Sequence, residues 1–126
     1  MIVGIGTDLV EVPRVEALLA RHGERFARRV LADVEWPGFE HSAVKPLYLA
    51  SRFAAKEAFA KALGTGVRAP ASLRNIGVTH DADGRPVLAL APSLDALLHA
   101  RGVVRSHLSI THERSMACAF VVLERG

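Results

Sequence analysis

The sequence predicts an α+β fold, with helices packed on an antiparallel sheet of about five strands, in a single small domain spanning residues 1–126. Three stretches carry that expectation. Ile2 to Val10 is an apolar run interleaved with Gly4 and Gly6 and reads as a strand. Arg52 to Leu63 is rich in alanine and free of β-branched residues, so helix is its natural conformation. Met116 to Leu123 is apolar at both odd and even positions and reads as a strand that must be covered on both faces. At 126 residues the chain fits one domain with a real core.

Between these stretches the elements follow in order. Strands rarely carry two close glycines unless another backbone or a ligand comes near, so Gly4 and Gly6 mark a close approach. Asp8 ends that strand, where a carboxylate projects into a cleft or serves as a cap. Pro13 opens a helix that runs to about His22 and ends at Gly23. Val15, Leu18, Leu19, His22 and Phe26 keep helical spacing and form its buried stripe. Trp36-Pro37-Gly38 breaks the pattern, so residues 33–44 read as a loop with room for one helical turn. Ser42 and Pro46 open the long helix, and Gly64 ends it. Residues 76–80 and 87–90 are strands joined around Asp83-Gly84. Pro92-Ser93 begins a helix that closes at Arg101-Gly102, and strands over about 106–111 and 116–123 finish the chain.

Charge narrows the classes of function. Net charge is +3 and the isoelectric point about 9.6, which favours acidic partners. Five arginines lie between Pro13 and Ala32 against two glutamates, more than solubility requires, and suit an acidic docking partner. A nucleic-acid binder should interleave aromatics with such a run for stacking; here only Phe26 is present, at a core-like position. Six histidines and one cysteine, Cys118, show no zinc spacing. Cys118 excludes an intrachain disulfide, and no run approaches a membrane span, so a reducing cytoplasm is the expected setting.

The chemistry concentrates on the long helix. Glu57 and Lys61 are four apart and share one face, while Lys56 leaves the helix about 100° away. Two of the chain's three lysines therefore flank one carboxylate, just ahead of the flexible Gly64-Thr65-Gly66 turn. That arrangement suits a metal-bridged phosphate ligand. A solvent-exposed Glu–Lys pair is the alternative reading of the helix taken alone.

Gly4-Ile5-Gly6-Thr7-Asp8, the Arg52-Phe53-Ala54-Ala55-Lys56-Glu57-Ala58 helix with Lys61 and Gly64-Thr65-Gly66, and Ser109-Ile110-Thr111-His112 occur in that order. Together they resemble the holo-acyl-carrier-protein synthases, 4′-phosphopantetheinyl transferases, over the whole chain. Two departures stand out. Glu113 replaces the Asp that commonly follows the histidine motif, and Ala32-Asp33-Val34-Glu35 replaces a Thr/Ser ahead of a Glu. The resemblance implies transfer of the phosphopantetheine arm of coenzyme A to a serine of apo acyl carrier protein, with magnesium, releasing adenosine 3′,5′-bisphosphate.

It implies Asp8 and Glu57 as magnesium ligands and catalytic residues, with Lys61 facing the same phosphates. Arg52, Lys56 and His112 match positions for the coenzyme A phosphates, and Gly64, Thr65 and Gly66 would admit the nucleotide. Arg14, Arg21 and Arg28, with Phe53 as an apolar neighbour, become the docking candidates for the acidic carrier protein. The proton acceptor for the serine is Glu57 or a magnesium-bound water. The resemblance also implies a homotrimer with active sites at subunit boundaries and a role in fatty acid biosynthesis; among the cations a neighbouring chain could supply to such a site, His112 is the candidate.

Overall fold

The computed structural model describes residues 1–126. The five expected strands are β1 (Ile2–Glu11), β2 (Ile76–His80), β3 (Pro86–Leu90), β4 (Val103–His112) and β5 (Met116–Arg125). They are divided between two antiparallel sheets, one of order β1-β5-β4 and a separate β2-β3 hairpin. The helices are α1 (Val12–His22), α2 (Glu24–Val30), α3 (Trp36–His41), α4 (Lys45–Leu63) and α5 (Pro92–Ala100). No helix is long and apolar enough to cross a membrane.

The long helix α4 lies on one face of the three-stranded sheet, and the two glycines of β1 are the reason it can. A Cβ on Gly4 would collide with the carbonyl oxygen of Ala62, and one on Gly6 with that of Ala58. The small residues of helix and strand thus form one contact, and the approaching backbone predicted from the glycines is α4. Residues alternate along a strand, so Asp8 is the next inward position of β1. On β5 the inward residues are Ala117, Ala119, Val121 and Leu123, all buried. The core also takes in Leu49, Ala54, Phe59, Ile76 and Leu94.

The outward face of the sheet differs from expectation. Phe120 of β5 is exposed, Met116, Cys118 and Val122 are only partly covered, and Ile5 and Leu9 of β1 are more than half exposed. The single chain covers one face of β5 fully and the other only in part.

Three local readings also change. Residues 33–44 are not an open loop: a 3-10 turn over Asp33–Glu35 leads into α3, with Pro37 in its first turn. Burial of Phe39, which meets Trp36 edge-on at 5.4 Å, holds this segment down. Ser42 does not cap α4; Val44 occupies that position, and Ser42 Oγ accepts from the Val44 N–H at 3.2 Å. His22 points to solvent rather than joining the buried stripe, because Gly23 at φ 59° turns the chain into α2 immediately afterwards. Gly64, by contrast, terminates α4 as predicted, in the left-handed conformation with its N–H donating to Ala60 O and Lys61 O.

Candidate active site

Asp8 from β1 and Glu57 from α4 line one cleft of about 360 Å³, with Arg14 and Leu18 of α1, Phe26 of α2 and Phe53 of α4. Burial first, and then the charge of Asp8, push the Glu57 carboxyl above its ordinary value, with Lys61 opposing the shift. Lys61 Nζ donates to Thr7 O at 3.0 Å and to Asp8 Oδ1 at 3.3 Å. Two carboxylates and one ammonium therefore converge where β1 crosses α4. A pair of hard oxygen donors fits a divalent cation, and magnesium usually takes one or two carboxylates with phosphate oxygens and waters. No cluster of three His, Cys, Asp or Glu side chains forms, so these two carboxylates would have to share such an ion with substrate oxygens.

A second cleft, of about 480 Å³, opens on the opposite flank of α4. Its walls include Tyr48 and Arg52 of α4, His80 and Pro86 of the hairpin, and Ile110 and His112 of β4. The Arg52 guanidinium stacks 3.9 Å above the Tyr48 ring, and its Nη1 donates to Ser51 Oγ at 3.1 Å. Its Nε has no protein partner. A cation held flat with a donor to spare, facing two histidines, is a site for an anion such as phosphate. His112 shares a sheet row with Ala117 and Val10, so it faces the α4 side of the sheet like Asp8, but beyond the helix.

Lys56 corrects the sequence reading. It is wholly buried, and its three N–H donors go to Glu35 Oε1 at 2.6 Å, Ile76 O at 2.7 Å and Leu73 O at 2.9 Å. No donor is left for a phosphate. Burial lowers its pKa and the Glu35 carboxylate opposes that shift. Glu35 was missed as a specific residue. It accepts from the Ala32 N–H at 2.8 Å and the Val78 N–H at 3.0 Å as well as from Lys56. The available signal was a lysine standing beside the key carboxylate in a chain that otherwise prefers arginine.

Of the other expected residues, Gly64, Thr65 and Gly66 line neither cleft and lie just past Lys61, at the end of α4. Arg14 and Arg21 are both exposed on α1. Arg28 sits on α2, paired with Glu24 at 3.2 Å, so the arginines do not form one continuous helical face. A larger groove, about 690 Å³ between α5 and β4, is lined by Asp95, His99 and Arg105 and contains none of the expected site residues.

The family model of the 4′-phosphopantetheinyl transferase superfamily matches residues 4–121, which takes in both carboxylates, Lys61 and His112. The chain belongs to this family. A holo-[acyl-carrier-protein] synthase of Nitrosospira multiformis is 56% identical over 125 residues, covering 99% of this chain and 100% of the relative. The crystal structure of the Neisseria meningitidis synthase superposes with a TM-score of 0.95 at 46% identity, covering 99% of this chain and 100% of that one. The Bacillus anthracis synthase, solved in complex with CoA (3′,5′-ADP), matches with a TM-score of 0.82 at 36% identity over 100% of this chain and 99% of that one. The α+β architecture of the family is thus reproduced from end to end.

Proposed function

We propose that the protein transfers the 4′-phosphopantetheine group of coenzyme A to a serine of apo acyl carrier protein. The observation that carries this is the meeting of Asp8 and Glu57 in one cleft with Arg14 of α1, with Lys61 paired to Asp8 at 3.3 Å. The serine Oγ bonds to the pantetheine-side phosphorus, the P–O bond to the second phosphate breaks, and adenosine 3′,5′-bisphosphate leaves. The serine proton passes to Glu57, whose raised pKa suits it to accept, or to a metal-bound water. Magnesium, when held by Asp8 and Glu57, would neutralise the pyrophosphate charge. Lys61 adds a fixed cation on the same side, and Arg14 and Arg21, with Arg28 and Phe53, meet the acidic carrier.

The Arg52–His112 cleft suits the phosphates at the nucleotide end of coenzyme A, and Gly64-Thr65-Gly66 leaves room for backbone approach. In one chain α4 stands between this cleft and the two carboxylates. A homotrimer would bring the Arg52 and His112 side of one subunit against the Asp8 and Glu57 side of the next. The open apolar face of the sheet supports such an assembly, since closed symmetry is the usual way for identical chains to cover it. The setting we infer is the cytoplasm, in fatty acid biosynthesis.

Intact-mass measurement of apo carrier protein incubated with the protein, coenzyme A and magnesium tests the reading. A gain of one phosphopantetheine, abolished by chelation, is expected; an unchanged carrier mass with saturating magnesium would remove it.

A further inference from the structure

We propose that the buried Lys56–Glu35 pair is a positioning device that sets two of the walls of the Arg52 cleft, α4 and the β2–β3 hairpin, relative to each other. The inference rests on the reading of that cleft as the coenzyme A phosphate site. One wall is α4 itself. Glu35, locked by Lys56, presents its backbone carbonyl to the Tyr48 hydroxyl at 2.7 Å, and the Tyr48 ring carries the Arg52 guanidinium. A second wall is the β2–β3 hairpin, which brings in His80 and Pro86, and β4 adds Ile110 and His112. The same pair grips β2 twice, through Lys56 to Ile76 O and through Glu35 to the Val78 N–H.

Several features separate this arrangement from a generic core contact. The hairpin is not hydrogen-bonded into the three-stranded sheet; it packs on β4, and the bonds of this pair tie β2 directly to α4. All three donors of Lys56 and both oxygens of Glu35 are satisfied, leaving neither partner free to adopt a second geometry. Neither side chain reaches solvent, so the pair can touch no substrate and acts only through Tyr48, Arg52 and the hairpin. A buried pair is poor value as a stabiliser compared with apolar packing, and a role in geometry accounts for its presence.

The test measures coenzyme A and carrier-protein affinities of the whole protein by calorimetry. Lys56→Met should weaken coenzyme A binding at least 10-fold and leave carrier-protein affinity within twofold. The double variant Lys56→Met, Glu35→Gln removes the unpaired buried charge; it should recover melting temperature without recovering coenzyme A affinity. A purely structural pair would recover both. Where Lys56→Met does not fold, Tyr48→Phe cuts the link at a half-buried hydroxyl and should weaken coenzyme A binding about threefold. Arg52→Ala serves as the reference. If Arg52→Ala loses affinity while Lys56→Met and Tyr48→Phe keep it, the positioning role is overturned and the cleft reading stands. If Arg52→Ala binds coenzyme A normally, the cleft reading fails and the positioning role fails with it.

Discussion

Lys56 and Glu57 are consecutive on α4 yet serve opposite environments: Lys56 is sealed against Glu35 at 2.6 Å, while Glu57 opens into the cleft beside Asp8. A helix turns about 100° per residue, so one step along the chain is enough to cross from core to site.

Asp8→Asn and Glu57→Gln should fold normally and lose activity by about 100-fold or more, the scale of a lost charge-stabilising contact. Both side chains line a cleft rather than the core, so circular dichroism and melting temperature should stay near wild type. Turnover close to wild type at saturating magnesium in either variant would remove the metal assignment.

Glu57 should make stability fall with rising pH. Its pKa is raised from an ordinary value of 4.5, chiefly by burial and then by Asp8. The native state therefore holds this proton more tightly than the unfolded chain, so the contribution is greatest below 4.5 and declines as pH climbs through the folded value. Urea titrations from pH 4 to 7 should show a flatter profile in Glu57→Gln. Magnesium should stabilise wild type more at pH 7 than at pH 4 and do little for the variant; an equal effect on both would count against the carboxylate pair as its site.

Gly6→Ala should destabilise the protein by about 3 kcal/mol or more, because its methyl meets the Ala58 carbonyl and α4 cannot move without leaving the sheet. A chemical denaturation midpoint like that of wild type would show that the β1–α4 contact yields easily.

Arg14→Glu and Arg21→Glu should weaken use of the carrier protein, mostly in the association step, and leave coenzyme A affinity intact. The penalty should shrink with added salt, since exposed charges are screened over about 8 Å at physiological ionic strength. Stopped-flow association at two salt concentrations checks the sign, and an equal fall in coenzyme A affinity would move these arginines into the nucleotide site.

Light scattering should give a trimer for the wild type. Phe120→Asp, at an exposed position on the open sheet face, should reduce it to monomers. Asp8→Asn and His112→Ala, each inactive alone, should regain partial activity when unfolded and reassembled together, because some mixed sites join one intact half of each chain. A stable, active monomer would end the assembly reading. A trimer without complementation would return His112 to its own chain's site or exclude it from catalysis.

The long helix, its glycine stop and the five strands were legible in the sequence alone, and its motifs singled out Asp8 and Glu57, which the fold brings to one cleft. These follow from local rules: alanine propensity, left-handed glycine, alternation, and motif residues at fixed spacing. The close approach announced by Gly4 and Gly6 was legible too, although the partner, the Ala58–Ala62 ridge, was not. The remainder depends on groups distant in the chain. Whether Lys56 faces solvent or core turns on Glu35, Leu73 and Ile76, residues 21, 17 and 20 positions away. The helix α3 exists because Phe39 finds a buried place, against the local signal of Trp36-Pro37-Gly38. The division of five strands into two sheets, and the separation of His112 from Asp8 by the body of α4, likewise arise from long-range pairing. Periodicity names the face of an element, but only packing says what that face meets.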